Sequence, residues 1–163
     1  SGGIDAEGGA GGAGKAALGR ALLSRHDSRL QGLSWDKWSI TKGQKELKLT
    51  RPRGSAMCPV PTAADAFLLA GVIFSNVWVR SIVLDGNPLD EEGLGHLCIA
   101  LLRNRCIETV SLRRCGLSDS GGLLLLRLHE EKPGLEVDCA EGNHFGEYMQ
   151  QKLSAALERA RSL

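Results

Sequence analysis

The chain of 163 residues is poor in aromatic side chains, which make up only 4% of it, and its formal net charge at pH 7 is only +1. So small a charge gives no sign of the basic surface that binds nucleic acid or acidic membranes. Apolar stretches such as Ala63–Ile73 are far shorter than the roughly 20 residues of a membrane-spanning helix. The first residues lack the basic and then apolar order of a secretory signal. We therefore expect neither nucleic-acid binding nor membrane insertion.

Cysteine spacing excludes the usual cysteine-based frameworks. The chain has five cysteines, an odd number, and none of them forms a CxxC pair. This spacing favours neither a zinc site nor a set of disulfides. We predict free, mostly buried thiols in a reducing cytoplasm, with no metal and no cofactor. The cysteines are Cys58, Cys98, Cys106, Cys115 and Cys139.

Aliphatic residues are abundant instead, and they recur with a fixed period. Segments that begin at Val79, Ile107 and Leu135 are equally spaced and resemble one another along their length. Self-similarity of this kind predicts a repeat architecture. The matching columns include Asn87, Cys115 and Asn143; Leu89, Leu117 and Phe145; and Leu97, Leu125 and Leu153.

Each unit opens with the pattern L-x-x-L-x-L-x-x-N/C-x-L and continues with helical spacing. Ile82 and Leu84 alternate, so both are predicted to point inward from a short strand. The Asn or Cys is predicted to turn the chain, where an inward amide can bond stranded backbone groups. Leu97 and Leu101 lie four residues apart, on one face of a helix. One such unit cannot bury its apolar edge alone, so the units are expected to stack.

Earlier segments follow the period less closely. Leu30–Ile40 fits the same opening, with Trp35 in a leucine column and Trp38 in the Asn/Cys column. Leu47–Leu49 is predicted to be the next strand. After a proline-containing loop, a helix is predicted over Thr62–Phe74, with Thr62 as its N-cap.

The two ends are expected to differ. Ile4–Gly8 matches Leu89–Gly93, so the chain is predicted to begin in the middle of a repeat. The last unit has a strand at Glu136–Cys139, weakened by Asp138 in a leucine column, and then a helix over about Glu147–Arg161. Terminal repeats are often atypical, so this unit is predicted to be a cap.

The 28-residue unit with a helical second half resembles the ribonuclease-inhibitor class of leucine-rich repeats. That class includes the sensor domains of NOD-like receptors and the Ran-type GTPase activators. The resemblance covers most of the chain and is strongest over Val79–Leu128, although Asp138 and His129 both stand in leucine columns. It implies an α/β fold, a leucine-rich-repeat solenoid with short parallel strands on the concave face and helices on the convex face.

The same resemblance implies one domain over residues 1–163. Its expected parts are a partial first repeat with a Gly-rich insertion at 1–29, irregular repeats at 30–78, regular repeats at 79–106 and 107–134, and a capping repeat at 135–163.

We predict a protein–protein interaction module, or a scaffold subunit of a larger protein or assembly, and not an enzyme. Solenoids of this sort bind through extended concave surfaces. Arg113, Lys48 and Arg51 could form a basic patch for an acidic partner. The residues predicted to bind the partner are Asp36, Lys48, Arg51, Val83, Asp85, Ser111, Arg113, Arg114 and Glu141.

Three other classes of function stay open. A regulatory domain acting on a small GTPase is suggested by analogy with the Ran-type activators. A P-loop enzyme is suggested by Gly9–Ala16, which satisfies GxxxxGK through Lys15, and by Ser81–Asp85, which resembles a Walker B strand. However, Ala16 replaces the magnesium-binding Ser or Thr, and the repeat register already explains the strand. A purely structural subunit of a large assembly is the third class.

Other reactive residues have simpler structural explanations. Asp90, Glu91 and Glu92 are predicted to favour the N-terminus of a helix rather than to bind a cation. His96 and His129 are predicted to lie on helix surfaces. A Cys–His dyad stays open, because such pairs meet in space rather than in sequence.

Overall fold

The computed structural model describes residues 3–5, 32–35, 38–41 and 43–162. Strands and helices alternate along the last and longest of these stretches. The strands are β1 (Gly3–Asp5), β2 (Gly32–Trp35), β3 (Trp38–Thr41), β4 (Glu46–Lys48), β5 (Ser81–Val83), β6 (Thr109–Ser111) and β7 (Glu136–Asp138). The helices are α1 (Ala63–Phe74), α2 (Glu91–Arg103), α3 (Asp119–Glu131) and α4 (Glu147–Arg161).

Strands β4 to β7 form one parallel sheet in chain order. A helix follows each strand, as parallel pairing requires a crossover connection. Ile82 lies opposite Leu47 on one side and opposite Val110 on the other, and Val110 lies opposite Val137. These central side chains are buried, whereas the flanking residues of each strand point to the other face. The predicted α/β class is thus confirmed for this part of the chain.

The four helices pack on the buried face of this sheet. Leu69, Leu97, Leu125 and Leu153, one from each helix, belong to a single apolar cluster with the central strand residues. No helix in the described part of the chain is both long and apolar enough to cross a membrane. Ile82 and Leu84, predicted to point inward, and Leu97 and Leu101, predicted to share a helix face, are all buried. The equivalent residues of the next unit are buried as well: Val110, Leu112 and Leu125.

Polar side chains start the first two helices. The hydroxyl of Thr62 accepts a hydrogen bond from the amide N of Asp65 at 3.3 Å, and α1 begins directly after it. The carboxylate of Asp90 accepts from the amide N of Gly93 at 2.7 Å and caps α2. Both caps satisfy an amide that has no partner within its helix. The predicted N-cap and the predicted place of the acids around Asp90 are confirmed.

Where the chain turns after a strand, amide side chains form hydrogen bonds with backbone groups. Asn87 donates from Nδ2 to the carbonyl oxygens of Leu49 at 2.7 Å and Leu84 at 2.8 Å. Its Oδ1 accepts a backbone amide at 3.0 Å. Asn143 likewise donates to two carbonyls and accepts from two amides, and in the unit between them the thiol of Cys115 donates to the carbonyl of Leu84 at 3.3 Å. The predicted role of the Asn/Cys column is therefore confirmed.

A second column of polar side chains, which the sequence patterns above do not include, forms hydrogen bonds with backbone groups where helices end. Its members, Asn76, Asn104 and Lys132, are 28 residues apart. Asn104 donates to the carbonyl oxygens of Ile73 at 2.5 Å and Asn76 at 2.8 Å. The ammonium of Lys132 donates to the carbonyls of Leu101 at 2.8 Å and Asn104 at 2.6 Å, close to the end of α2. Each unit is thereby tied to the preceding one at both ends of its helix.

Asp138 does not occupy an inward column, contrary to the prediction. Strand β7 pairs with β6 so that Val110 lies opposite Val137, one position short of the repeat spacing. Val137 and Cys139 are buried, and Asp138 points to the open face. Because side chains alternate along a strand, burying the two apolar residues dictates this register. The turn after β7 is one residue longer than the turn after β6, which restores the repeat spacing at Asn143.

The earliest strands also differ from the prediction. Strands β1, β2 and β3 form a separate three-stranded sheet, in which β1 and β2 are parallel but β2 and β3 are antiparallel. Trp35 pairs with Trp38, so Leu30–Ile40 is not the opening of a single parallel repeat. With only two residues between the tryptophans, the strands can connect as a hairpin but not as a parallel crossover. Ile4 lies in a strand rather than in a turn before a helix.

The close packing behind β6 leads to a stability prediction. Leu112→Ala removes a side chain that is 1% exposed, so it should lower the free energy of unfolding by about 2–5 kcal/mol. Leu123→Ala is the matched control, because that side chain is 58% exposed and should change stability by less than about 0.5 kcal/mol. Urea unfolding followed by circular dichroism measures both. Equal losses for the two variants would contradict the described core.

Candidate functional site

One face of the four-stranded sheet carries mixed polar side chains, and no described element covers it. We call it the strand face. Its residues are half-buried or exposed, in contrast to the central residues between them. They are Glu46 and Lys48 of β4, Ser81 and Val83 of β5, Thr109 and Ser111 of β6, and Glu136 and Asp138 of β7.

A hydrogen-bonded cluster lies near the carboxyl ends of β5, β6 and β7. The hydroxyl of Ser111 donates to Oδ1 of Asp85 at 2.6 Å, and the amide N of Arg113 donates to the same oxygen at 3.0 Å. The Arg113 guanidinium donates from Nε to Oδ2 of Asp138 at 2.7 Å. Four side chains from three neighbouring units are thus held together on the strand face. We call Asp85, Ser111, Arg113 and Asp138 the strand-face cluster.

Electrostatics within this cluster stabilise the charged forms of its members. The hydrogen bond from Arg113 holds the pKa of Asp138 below its ordinary value, in spite of partial burial. The hydrogen bond to Asp138, followed by its charge, raises the pKa of Arg113 further above its ordinary value. Both groups are therefore charged at neutral pH, and their attraction keeps the arginine side chain lying across the sheet.

The predicted basic side chains near the ends of the strands differ in their partners. Arg51 donates from Nε to the carbonyl of Ser55 at 3.2 Å, within its own loop. Lys48 is exposed and makes no ion pair with any described residue. Arg53, which the sequence analysis did not single out, pairs with Glu141 at 3.0 Å, so the loop after β4 meets the loop after β7. Most of the predicted basic patch is thus balanced by acids or carbonyls of the chain itself.

Arg114 lies at the edge of the strand face in an unusual backbone conformation. It has a φ of +53°, in the left-handed region that non-glycine residues rarely adopt. Its side chain packs over Gly142, where an added Cβ would lie 2.5 Å from Cγ of Arg114. Among the described residues the guanidinium has no hydrogen-bond or ion-pair partner. Arg114 is therefore a half-buried cation whose guanidinium N–H groups are available to a partner.

The nine predicted binding residues thus fall into separate groups. Asp85, Ser111 and Arg113 meet in the strand-face cluster, and Val83 lies beside them on β5. The others lie at the β4 edge or in the turns, except for Asp36, which lies outside the described residues. Asp138 was not predicted to bind a partner, because it was assigned to the inward column. The alternation of Val137 and Cys139 on either side of it is the signal that could have placed it outward.

Four of the five cysteine side chains are buried, and Cys106 is half-buried. Burial raises the pKa of Cys98 and Cys115 to about 12 and that of Cys139 to about 11. These three thiols are protonated at neutral pH, which makes them poor nucleophiles and poor members of a Cys–His dyad. All five cysteines are unpaired.

His96 and His129 were predicted to lie on helix surfaces, and both are half-buried in the structure. The His96 ring meets Phe67 edge-on with ring centres 4.2 Å apart, and its Nε2 is 3.8 Å from a carboxylate oxygen of Glu92. His129 keeps a buried Nδ1 without a hydrogen-bond partner, while the neighbouring Leu128 fills the core. The inward column therefore passes through Leu128 rather than His129.

The phosphate-loop pattern at Gly9–Ala16 lies outside the described residues. Its possible Walker B partner, Asp85, already accepts two hydrogen bonds in the strand-face cluster. Within the described ranges, no group of three or more His, Cys, Asp or Glu residues is placed to hold a metal ion.

Comparison with known proteins does not assign the chain to a family. No model of a known protein family matches it, and no curated protein matches it either. The strand face is therefore interpreted from its own geometry and chemistry.

The Arg113–Asp138 pair leads to a titration prediction. In the native protein the Asp138 carboxylate should titrate below its ordinary pKa of 3.8, and Arg113→Ala should move that pKa upward. A lowered native pKa stabilises the fold at pH values above the unfolded pKa, and that stability is lost as the pH falls through the native pKa. Carboxyl NMR titration measures both proteins. An unchanged Asp138 pKa in the variant would contradict the pairing.

Thiol burial leads to a reactivity prediction. Cys98, Cys115 and Cys139 should resist iodoacetamide at pH 8 in the native protein, because alkylation requires the thiolate. All five cysteines should be alkylated once the protein is unfolded without reductant. Peptide mass spectrometry reports each site. Rapid native labelling of the three sites would show that they are accessible and acidic.

Proposed function

We propose that residues 43–162 are leucine-rich repeats of the ribonuclease-inhibitor class, and that the strand face is the concave face of the resulting solenoid. Parallel strands followed by helices support this interpretation. So do the two polar columns that recur with the repeat spacing, one at Asn87, Cys115 and Asn143 and the other at the helix ends. In such a stack each unit is stabilised chiefly by its neighbours.

We infer that the protein binds another protein through the strand face. The observation that carries this inference is the strand-face cluster, a set of oriented charges on a face that no described element covers. Side chains that are already held in place lose little further conformational freedom on binding. A partner can therefore use Asp85, Arg113 and Asp138 as fixed donors and acceptors, with Val83 as an apolar contact among them.

The charge pattern favours a protein over a nucleic acid. Asp138 balances Arg113 and Glu141 balances Arg53, so the surface lacks the run of free cations that phosphate backbones attract. Lys48 and Arg114 have no ion-pair partner among the described residues, and they are kept apart because Lys48 ends the edge strand β4, Arg114 lies in the turn after β6, and β5 runs between these two strands. A partner with complementary charges of both signs fits this arrangement.

A scaffold role in the reducing cytoplasm is consistent with this proposal. The five unpaired thiols need no oxidising compartment, and the three with raised pKa values have structural positions in the core. The role proposed for the protein is that of a binding module or an assembly subunit, and not that of an enzyme.

The proposal is tested by comparing two variants that each add one guanidinium. Val83→Arg changes the strand face, and Ala155→Arg changes an exposed position on α4 as the matched control. Proteins captured from cell extract by the wild-type chain are identified by mass spectrometry, and the principal one is then titrated against all three proteins. Val83→Arg should weaken binding about tenfold or more, and Ala155→Arg by less than about twofold.

Thermal unfolding of both variants shows whether they fold like the wild type. If the partner binds folded Val83→Arg as tightly as the wild type, the proposal that it binds through the strand face is wrong.

A further inference from the structure

An apolar groove lies between α2 and α3, on the helical side of the molecule and away from the strand face. Its volume is about 770 Å³. Cys98 and Leu128 form its buried floor, and Leu102 and Leu124 line it as half-buried residues. Ile99 projects from its wall with 54% of its surface exposed. So large an exposed aliphatic side chain beside an open apolar groove marks a place where a partner can bury surface.

The spacing of the helices explains why the groove exists. Helices α1 and α2 approach closely through small residues: a Cβ added at Gly93 would lie 3.2 Å from Cβ of Ala66. At α3 and α4, a Cβ at Gly122 would collide with the side chain of Met149. Helices α2 and α3 meet at their first turns, where Gly121 lies against Leu94, and the groove opens beyond that point.

Gly95 enlarges the groove without being required by packing within the chain. It lies inside α2 and lines the groove, yet a Cβ added there would meet no described atom within 4 Å. Glycine in a helix interior destabilises the helix relative to alanine, so an unused space at this position is a cost to the isolated chain. The missing side chain leaves room for an atom of a partner.

Acidic side chains dominate the rim. Glu91, Glu92 and Glu131 line the groove, and Arg127 is its one guanidinium among the described lining residues. Arg127 is already paired with Glu131 at 3.3 Å. At the other end stand the carboxylates of Glu91 and Glu92, the latter 3.8 Å from Nε2 of the lining residue His96, and they give this end its negative character. An acidic rim around an apolar floor is complementary to a segment with an apolar stripe and basic flanks.

We propose that the groove between α2 and α3 binds a basic amphipathic helix of a protein partner. Apolar side chains of that helix contact Ile99 and Leu124, and its Lys or Arg side chains lie opposite Glu91 and Glu92. The surface is separate from the strand face, so its occupant and the strand-face partner do not compete for the same side chains.

Designed peptides test this proposal directly. The probe is a fluorescent peptide of about 18 residues, roughly five helical turns, with leucines at i, i+3, i+4 and i+7 and lysines on the remaining face. The control peptide carries glutamates in place of the lysines. Fluorescence anisotropy with the full chain should show binding of the basic peptide, at least about tenfold weaker binding of the acidic one, and weakening with added salt.

Two exposed aliphatic residues provide matched variants. Ile99→Asp places a charge in the groove, whereas Leu123→Asp alters a residue of α3 that is 58% exposed and does not line it. Ile99→Asp should weaken the basic peptide about tenfold, and Leu123→Asp by less than about twofold. The double variant Glu91→Lys, Glu92→Lys should reverse the preference between the peptides. Circular dichroism and thermal unfolding confirm that each variant is folded.

Several results would overturn the proposal. Absence of binding up to about 1 mM basic peptide, equal binding of both peptides, or indifference to Ile99→Asp in a folded variant would each do so. A wild-type dimer in analytical ultracentrifugation that Ile99→Asp dissociates would assign the groove to a second copy of the chain instead. Binding to vesicles made of equal parts phosphatidylcholine and phosphatidylserine that is lost in Ile99→Asp would assign it to a membrane surface.

Discussion

Buried backbone groups at the turns are the constraint on which the rest of this structure depends. After each strand of the four-stranded sheet the chain must leave the sheet inside an apolar core, where unpaired carbonyls and amides are costly. Asn87 resolves this with two donated bonds and one accepted backbone amide, joining the end of β4, the end of β5 and the loop before α1. Asn143 repeats the arrangement at β7. A longer, charged or purely apolar side chain could not serve both donors and acceptors there.

The opposite ends of the helices obey the same constraint with different side chains. Oδ1 of Asn104 accepts two amides in the turn after α2, while its Nδ2 donates to the carbonyl of Ile73 at the end of α1. The ammonium of Lys132 donates to the carbonyl of Leu101 in α2 and to that of Asn104, the C-cap of α2. A lysine suits this place because the C-terminal end of a helix carries partial negative charge. Its position costs some solvation, as the lowered pKa of Lys132 shows. Each unit is thereby bonded to its predecessor on both sides of the apolar core, which keeps neighbouring strands in register.

Two surfaces result from this arrangement, and they have different physical characters. Holding the strands in register aligns Asp85, Ser111, Arg113 and Asp138 on the open face, where charge-assisted hydrogen bonds orient them. The helical side depends on how closely neighbouring helices approach. Small residues close the gap between α1 and α2, but bulkier leucines and the acidic rim leave the groove beside Ile99 open. The first surface suits oriented polar contacts and the second suits apolar burial, which is why we propose different partners for them.

The sequence by itself determined the strands and helices of residues 43–162 and most of their buried residues. The patterns that predict these elements are local: Ile82 and Leu84 alternate along a strand, and Leu97 and Leu101 are four residues apart on a helix. They are sufficient to predict which side chains are buried, because the face on which a side chain lies follows directly from local geometry. Asn87 could be assigned its role for the same reason, since its neighbours in space are backbone groups of the repeat.

Only the tertiary structure decided the details that rest on pairing between units. A one-residue change of register moved Asp138 from the predicted core to the open face, where it pairs with Arg113. Arg53 and Glu141 are 88 residues apart and meet because two loops converge. The antiparallel pairing of Trp35 and Trp38 likewise replaced a predicted parallel unit. Local periodicity specifies which side of an element is apolar, but strand register, loop convergence and helix spacing depend on contacts between distant segments.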